Sequence, residues 1–267
     1  MCDARPHLQH HPEAAHDPIT PRPGASSGVV PAQPGVAPNA PGANIDLSEA
    51  DAIRPIAADQ SSPNQWTMGT DTPSIYAYGL YAQRAVTSPQ LASSRDTLYA
   101  TMHEGGALGQ PWSEIGWPCF GGDYGGRCPV VFSAMSNVPD YYPPGYFTIA
   151  PGDTLYLEVV YVGNNQWANY IYWGPYGGWT LFSQYQLDHA VAVDTNVVNE
   201  AYTGYTGPRL VLPQTWVALA QIYWCNPSCG WYLWDMSVSG SWAFADYPPY
   251  YLGMDAPYYY WSGQGGP

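Results

Sequence analysis

The clearest alternation of apolar and polar positions runs over residues 147–179, and the rest of the chain reads as organised around it. Within 153–162, Leu155, Leu157, Val159 and Tyr161 fall on one side. Tyr156, Glu158, Val160 and Val162 fall on the other. A period of two, rich in β-branched and aromatic residues, predicts a strand. Pro151-Gly152-Asp153 opens it as a turn, and Gly163-Asn164-Asn165 closes it with residues that tolerate positive φ. Residues 166–173 alternate again, with Trp167, Asn169, Ile171 and Trp173 sharing a face. Both faces of this hairpin carry apolar residues, so both are expected to be covered. That predicts an all-β fold of two stacked antiparallel sheets, a sandwich or jelly roll.

Further strands are predicted over 74–86, 96–103, 130–136, 197–202, 216–224 and 231–244, with a short proline-bounded one within 110–119. Residues 181–193 are mixed in pattern. The sandwich is expected to occupy 65–245 as one domain, with order beginning near Trp66. Residues 1–64 are rich in Pro, Ala and Gly with little apolar periodicity, which predicts a disordered leader, a linker or a propeptide remnant. His7, His10, His11 and His16 lie in it; a solvated tail accounts for them more readily than loose metal binding. Residues 246–267 read as a Tyr/Pro/Gly-rich tail.

Composition narrows the partners. Lysine is absent, the net charge is −14, and 10% of residues are charged, against about 25% in an ordinary domain. Phosphate binding needs a basic stripe, so no nucleic-acid partner is expected. No apolar run is long enough for a membrane-spanning helix. With so few cations, acidification adds little self-repulsion once carboxylates protonate, and the fold is expected to survive low pH. Compositional drift in a GC-rich genome would leave the same imprint. The 24 Tyr and 12 Trp suit a dense aromatic core or flat amphipathic surfaces.

Cys119 and Cys128, and Cys225 and Cys229, each flank a loop rich in Gly or Pro, which predicts two local disulfides in an oxidising compartment. A zinc site built from the same four residues would lack finger or ribbon spacing. The first residues carry no secretory signal, which predicts either a truncated chain or a mature form. Cys2, left over, could carry a lipid for attachment to the cell surface.

Of six glutamates, Glu114, Glu158 and Glu200 fall inside predicted strands, and Glu104 falls in a predicted turn. A carboxylate is expensive to bury without a reason. An outward, solvated position accounts for any one of them; two or three on one concave face would suit two-carboxylate catalysis. Ser183 with Asp188-His189 lacks a nucleophile elbow, and His103-Glu104 lacks the second histidine of a zinc helix.

The order of segments resembles the glutamic peptidases of the eqolisin type, acid-acting secreted endopeptidases on a concanavalin-like jelly roll. Trp112-Ser113-Glu114-Ile115-Gly116-Trp117 resembles the family's glutamine-bearing strand. Val138-Pro139-Asp140 and Ile149-Ala150-Pro151-Gly152-Asp153-Thr154 resemble the segments that follow. Asn199-Glu200-Ala201-Tyr202 and Leu212-Pro213 resemble its catalytic-glutamate strand and the Val-Pro after it. The resemblance implies Glu200 as the base for water and Glu114 as the oxyanion or acid partner, with no cofactor. Trp112 and Trp117 would form the cleft walls, with Tyr202 beside them and a polypeptide as substrate. Two departures stand out: Glu114 replaces the family's Gln, and Phe132-Ser133-Ala134-Met135-Ser136 replaces an aromatic-acidic strand. A protonated Glu114 could donate the amide's hydrogen bond and an ionised one could not. Two nearby carboxylates would share a proton, confining activity to acid. A carbohydrate-active jelly roll, as glycosidase or lectin-like module on a polysaccharide, and a non-catalytic surface protein are the other readings.

Residues 1–60 offer too little apolar surface to offset their ordering. A chain lacking them should keep an unchanged thermal transition, as read by calorimetry.

Overall fold

A computed structural model describes residues 65–72, 76–105, 111–122, 126, 128–135, 138–141, 149–173, 178–202, 210–225, 228–235, 238, 240–245, 250–256 and 258–265. The expected leader, with Cys2 and its four histidines, lies outside the described residues. Strands are numbered in chain order. One sheet runs β13 (Trp242–Ala245), β1 (Gln65–Thr72), β10 (Asp194–Tyr202), β3 (Thr97–Gly105), β4 (Trp112–Phe120), β5 (Phe132–Met135), β6 (Val138–Tyr141). The other runs β14 (Tyr250–Ala256), β15 (Tyr260–Gly265), β11 (Leu212–Cys225), β2 (Gly79–Ala85), β7 (Thr154–Gly163), β8 (Gln166–Trp173), β9 (Gly178–Gln186). The short β12 (Cys229–Leu233) pairs with β11 beside that path. Every pairing is antiparallel. No α-helix occurs among the described residues, so none of them forms a helix long and apolar enough to cross a membrane. The fold is an all-β antiparallel sandwich.

The β7–β8 hairpin follows its pattern. Gly163, Asn164 and Asn165 all take positive φ, at 99°, 54° and 55°, which matches the turn to the twist of the strands. Leu155, Leu157 and Val159 point inward with Trp167 and Ile171. They meet Leu98, Ala100, Met102, Ile115 and Trp117 from the facing sheet. On the other side of the hairpin, Val160, Ala168 and Tyr170 form a second apolar cluster with Val162, Trp179, Tyr223 and Trp231. Both faces are covered, as expected. Cys119 bonds Cys128 in the loop after β4, and Cys225 bonds Cys229 at the tip of the β11–β12 hairpin.

Polar ties cross the apolar interior. Arg84 of β2 is fully buried; its Nη1 donates to the Thr101 carbonyl and, at 3.0 Å, to that of Val198, and Nη2 donates to Asn199 Oδ1 at 2.7 Å. Burial pulls its pKa down to about 9, and the charge of Glu114 pushes it back up. Desolvating such an ion costs several kcal/mol. Three charge-assisted bonds of about 1.5–3 kcal/mol each offset that, so the tie holds geometry more than it adds stability. Asn169 of β8 makes a second tie, donating to Ser113 Oγ at 3.1 Å and Ser183 Oγ at 3.0 Å.

Several elements were not legible as strands. β1, with Gly69 and three threonines, has weak strand character and forms because it pairs with β10 along its whole length. The expected tail is not a tail. Residues 250–256 and 260–265 pair with each other, and β15 pairs with β11, with Tyr250 and Trp261 buried in the core. Its tyrosines and glycines mask the pattern that this pairing reveals. Glu104, expected in a turn, lies inside β3 on the inner face, fully buried, accepting a 2.7 Å hydrogen bond from Thr195 Oγ1.

Burial pushes the Glu104 carboxyl well above the usual glutamate range; the Thr195 bond opposes this and Asp194 adds to it. The folded chain thus holds a proton that the unfolded chain releases. Stability from this residue is full below the ordinary glutamate value and declines as pH rises towards the folded one. Melting temperature should fall from about pH 4 upwards, and Glu104→Gln should flatten that fall in a calorimetric pH series.

Candidate functional site

Glu114 on β4 and Glu200 on β10 flank the same strand, β3, where Glu114 pairs with His103 and Glu200 with Tyr99. Opposed residues of an antiparallel ladder point to one side, and so do residues an even number apart along a strand. Both carboxylates therefore share a face. It is the outer face of the seven-stranded sheet, since the alternate positions Leu98, Ala100, Met102, Ile115 and Trp117 belong to the core. Three rows cross it. Asp71, Asn196, His103, Glu114 and Ala134 form the first; Gly69, Val198, Thr101, Gly116 and Phe132 the second. Thr67, Glu200, Tyr99 and Pro118 form the third.

The two acids share this face but do not meet. Their rows are four residues apart along β3, about 14 Å at the usual rise, and they sit two strands apart. Thr101 stands at the middle of that diagonal, fully buried, with no hydrogen bond to its hydroxyl. The direct sharing of a proton expected for Glu114 and Glu200 has no basis in this register. A group bound over Thr101 would lie between them instead.

The middle row is lowest at its two glycines. A Cβ on Gly116 would sit 2.2 Å from the Ala100 carbonyl oxygen, and one on Gly69 2.2 Å from that of Val197. Only glycine fits at either place. Taller rows flank this floor. Tyr202 Oη donates to Glu200 Oε2 at 3.3 Å, and its ring packs edge-on against Tyr99, 5.8 Å between centroids. Tyr99 in turn meets Phe120 and Phe132. At the other end the Trp112 ring packs against His103 at 5.5 Å. Glu114 and Glu200 are 0% and 5% exposed, so neither is a solvated strand position.

Of the other expected site residues, Trp117 is not on this face. It points into the core, fully buried, and its Nε1 donates to the Ala85 carbonyl at 3.1 Å. Its odd place in β4, next to Gly116 rather than in step with Glu114, makes that unavoidable. Glu158 faces outward from the other sheet, opposed to Tyr81 and Tyr170, with the whole sandwich between it and Glu200. Ser183 bonds Asn169, whereas His189 bonds Asp188 at 2.8 Å.

The sequence did not single out Asp71, Asn196 or Thr101, and considered His103 only beside Glu104. Asp71 lies on a strand that was not foreseen. Burial raises its carboxyl well above the usual aspartate range, nearby Asp194 raises it further, and a backbone bond from Thr72 opposes both. No group of three or more His, Cys, Asp or Glu suited to a metal occurs among the described residues.

No protein-family model and no curated protein sequence matches the chain. Solved structures do. Scytalido-glutamic peptidase, determined with a transition-state analogue inhibitor, aligns with a TM-score of 0.53 at 10% identity, covering 76% of this chain and 98% of that one. SCP-B, a member of the eqolisin family determined with the tripeptide Ala-Ile-His, covers the same shares at 10% identity and a TM-score of 0.48. The fold assignment rests on the first. The chain has the fold of the glutamic peptidases, as the motifs resembling that family implied.

Gly116→Ala tests the floor. The new methyl must displace backbone, not a flexible side chain, so destabilisation of about 3 kcal/mol is expected, the upper end for over-packing. Urea unfolding measures it.

Proposed function

We propose that this chain is a peptidase-like hydrolase acting on an extended polypeptide laid over the outer face of the seven-stranded sheet. The observation that carries the reading is the presence of two buried carboxylates, Glu114 and Glu200, on the face turned away from the main core and beside a smaller aromatic cluster, astride Gly69, Gly116 and the Thr101 hydroxyl. Buried acids away from the core are costly unless they serve a purpose. The shared fold supports the same reading.

In this mechanism Glu200, oriented by Tyr202, takes a proton from water. The water oxygen bonds the scissile carbonyl carbon, and the carbonyl electron pair moves onto oxygen. Glu114, protonated, donates a hydrogen bond to that oxyanion from across Thr101. Collapse breaks the C–N bond, and the proton held by Glu200 passes to the leaving nitrogen. The products are a carboxylic acid and an amine, with no cofactor. Action in acid follows from the need for a protonated Glu114, and the buried acids Glu104 and Asp71, with pKa values pushed upward, favour the folded state there. Two disulfides support a secreted protein.

Glu200→Gln should lower hydrolysis of a denatured protein substrate by at least about 10²-fold, because an amide cannot take the proton. Glu114→Gln should retain activity and extend it to higher pH, since the amide donates without a proton to lose. Rate–pH profiles of both variants decide the matter. Equal and complete loss in both would instead favour a glycosidase-like pair in which each carboxyl exchanges a proton.

A further inference from the structure

The first row of the candidate face holds a concentration of buried polar atoms that bond nothing. Asp71 Oδ1, Asn196 Oδ1 and His103 Nε2 each lack a hydrogen bond, on three adjacent strands. A stranded buried group costs more than a made bond gains, so three in one row call for a ligand.

The network fixes what that ligand must offer. Asn196 Nδ2 lies 3.3 Å from Asp194 Oδ1 and 2.9 Å from His103 Nδ1. A carboxylate only accepts, so the amide nitrogen, not the oxygen, faces Asp194. His103 Nδ1 must then accept from the same nitrogen, which leaves the proton of the neutral imidazole on Nε2. The ring leans over Gly105, where a Cβ would fall 2.9 Å from Cε1 and 3.1 Å from Nε2, and the Trp112 ring packs edge-on against it. One end of the row thus presents an N–H donor, and the Asn196 and Asp71 oxygens present acceptors. A donor beside an acceptor matches the C=O and N–H of a polypeptide main chain.

We propose that His103 and Asn196, backed by Asp194 and Asp71, form a subsite that grips the main chain of a bound polypeptide at the Glu114 end of the face. His103 Nε2–H donates to a peptide carbonyl, and Asn196 Oδ1 accepts from a peptide N–H. The subsite is sequence-tolerant because it reads backbone. It deepens the hydrolase reading, resting on the polypeptide lying across this face.

The test is isothermal titration at pH 7.5 of the full chain carrying Glu200→Gln. The probes are an unstructured decapeptide and analogues in which each N–H in turn is replaced by an ester oxygen. One ester position should weaken binding by about fivefold, the loss of one net hydrogen bond. Adding Asn196→Leu should abolish that penalty, and His103→Phe should weaken every analogue alike. Asn196→Ser, with an unchanged thermal transition, guards against a folding defect and should also abolish the penalty. Equal affinity for all esters, or a penalty that persists in both Asn196 variants, overturns the subsite. If the unmodified chain still cleaves polypeptides in that case, the hydrolase reading stands alone. Peptide binding with the ester penalty, but no cleavage by the unmodified chain, upholds the subsite and removes the hydrolase reading. Neither binding nor cleavage overturns both.

Discussion

Alternation along antiparallel strands is the constraint on which this molecule depends. Each strand offers its sheet two faces, and the sandwich claims one of them for apolar packing. A carboxylate in a strand must then either turn inward and lose its charge or turn outward among polar neighbours. Glu104 does the first, bonded by Thr195 with its proton held by burial. Glu114, ten residues on and opposed to His103, does the second. The same rule sends Trp117 inward and keeps Tyr202 beside Glu200.

The outer face is also held from within. Arg84 reaches through the interior to the carbonyls of Thr101 and Val198, the residues at the centre of the low row between the acids. Asn169 reaches from the opposite sheet to Ser113, next to Glu114. These ties fix the register and height of β3, β4 and β10 relative to the second sheet. Side chains held on strands rather than loops gain precision from such support. The floor is then lowered by Gly69 and Gly116, where any side chain would strike the neighbouring strand's backbone.

The carboxyl of Glu114 bears on the electrostatics of the face. An amide donates at any pH, whereas a carboxyl donates only while protonated. Around Glu114 the row adds Asp71, Asn196 and His103, with Asp194 at its edge. Arg84, beneath the sheet, interacts electrostatically with Glu114. The face therefore combines several carboxyl groups with the neutral donors and acceptors of Asn196, Thr101 and Tyr202.

By itself the sequence determined the strand class, the β7–β8 hairpin with its turn, both disulfide pairs, and the presence of Glu114 and Glu200 inside strands. Period-two alternation, Gly-Asn-Asn turn chemistry and short Cys spacing are local signals, and local signals survive in one dimension. Tertiary structure decided what depends on register. Whether Glu114 and Glu200 touch, and which residue stands between them, follows from how β4, β3 and β10 align, and nothing within a single strand encodes that offset. The same holds for β1, β14 and β15, whose weak propensities become strands only when a neighbour supplies the missing hydrogen bonds. His103 and Asn196 meet across 93 positions of sequence, and only the pairing of β3 with β10 brings their side chains to 2.9 Å.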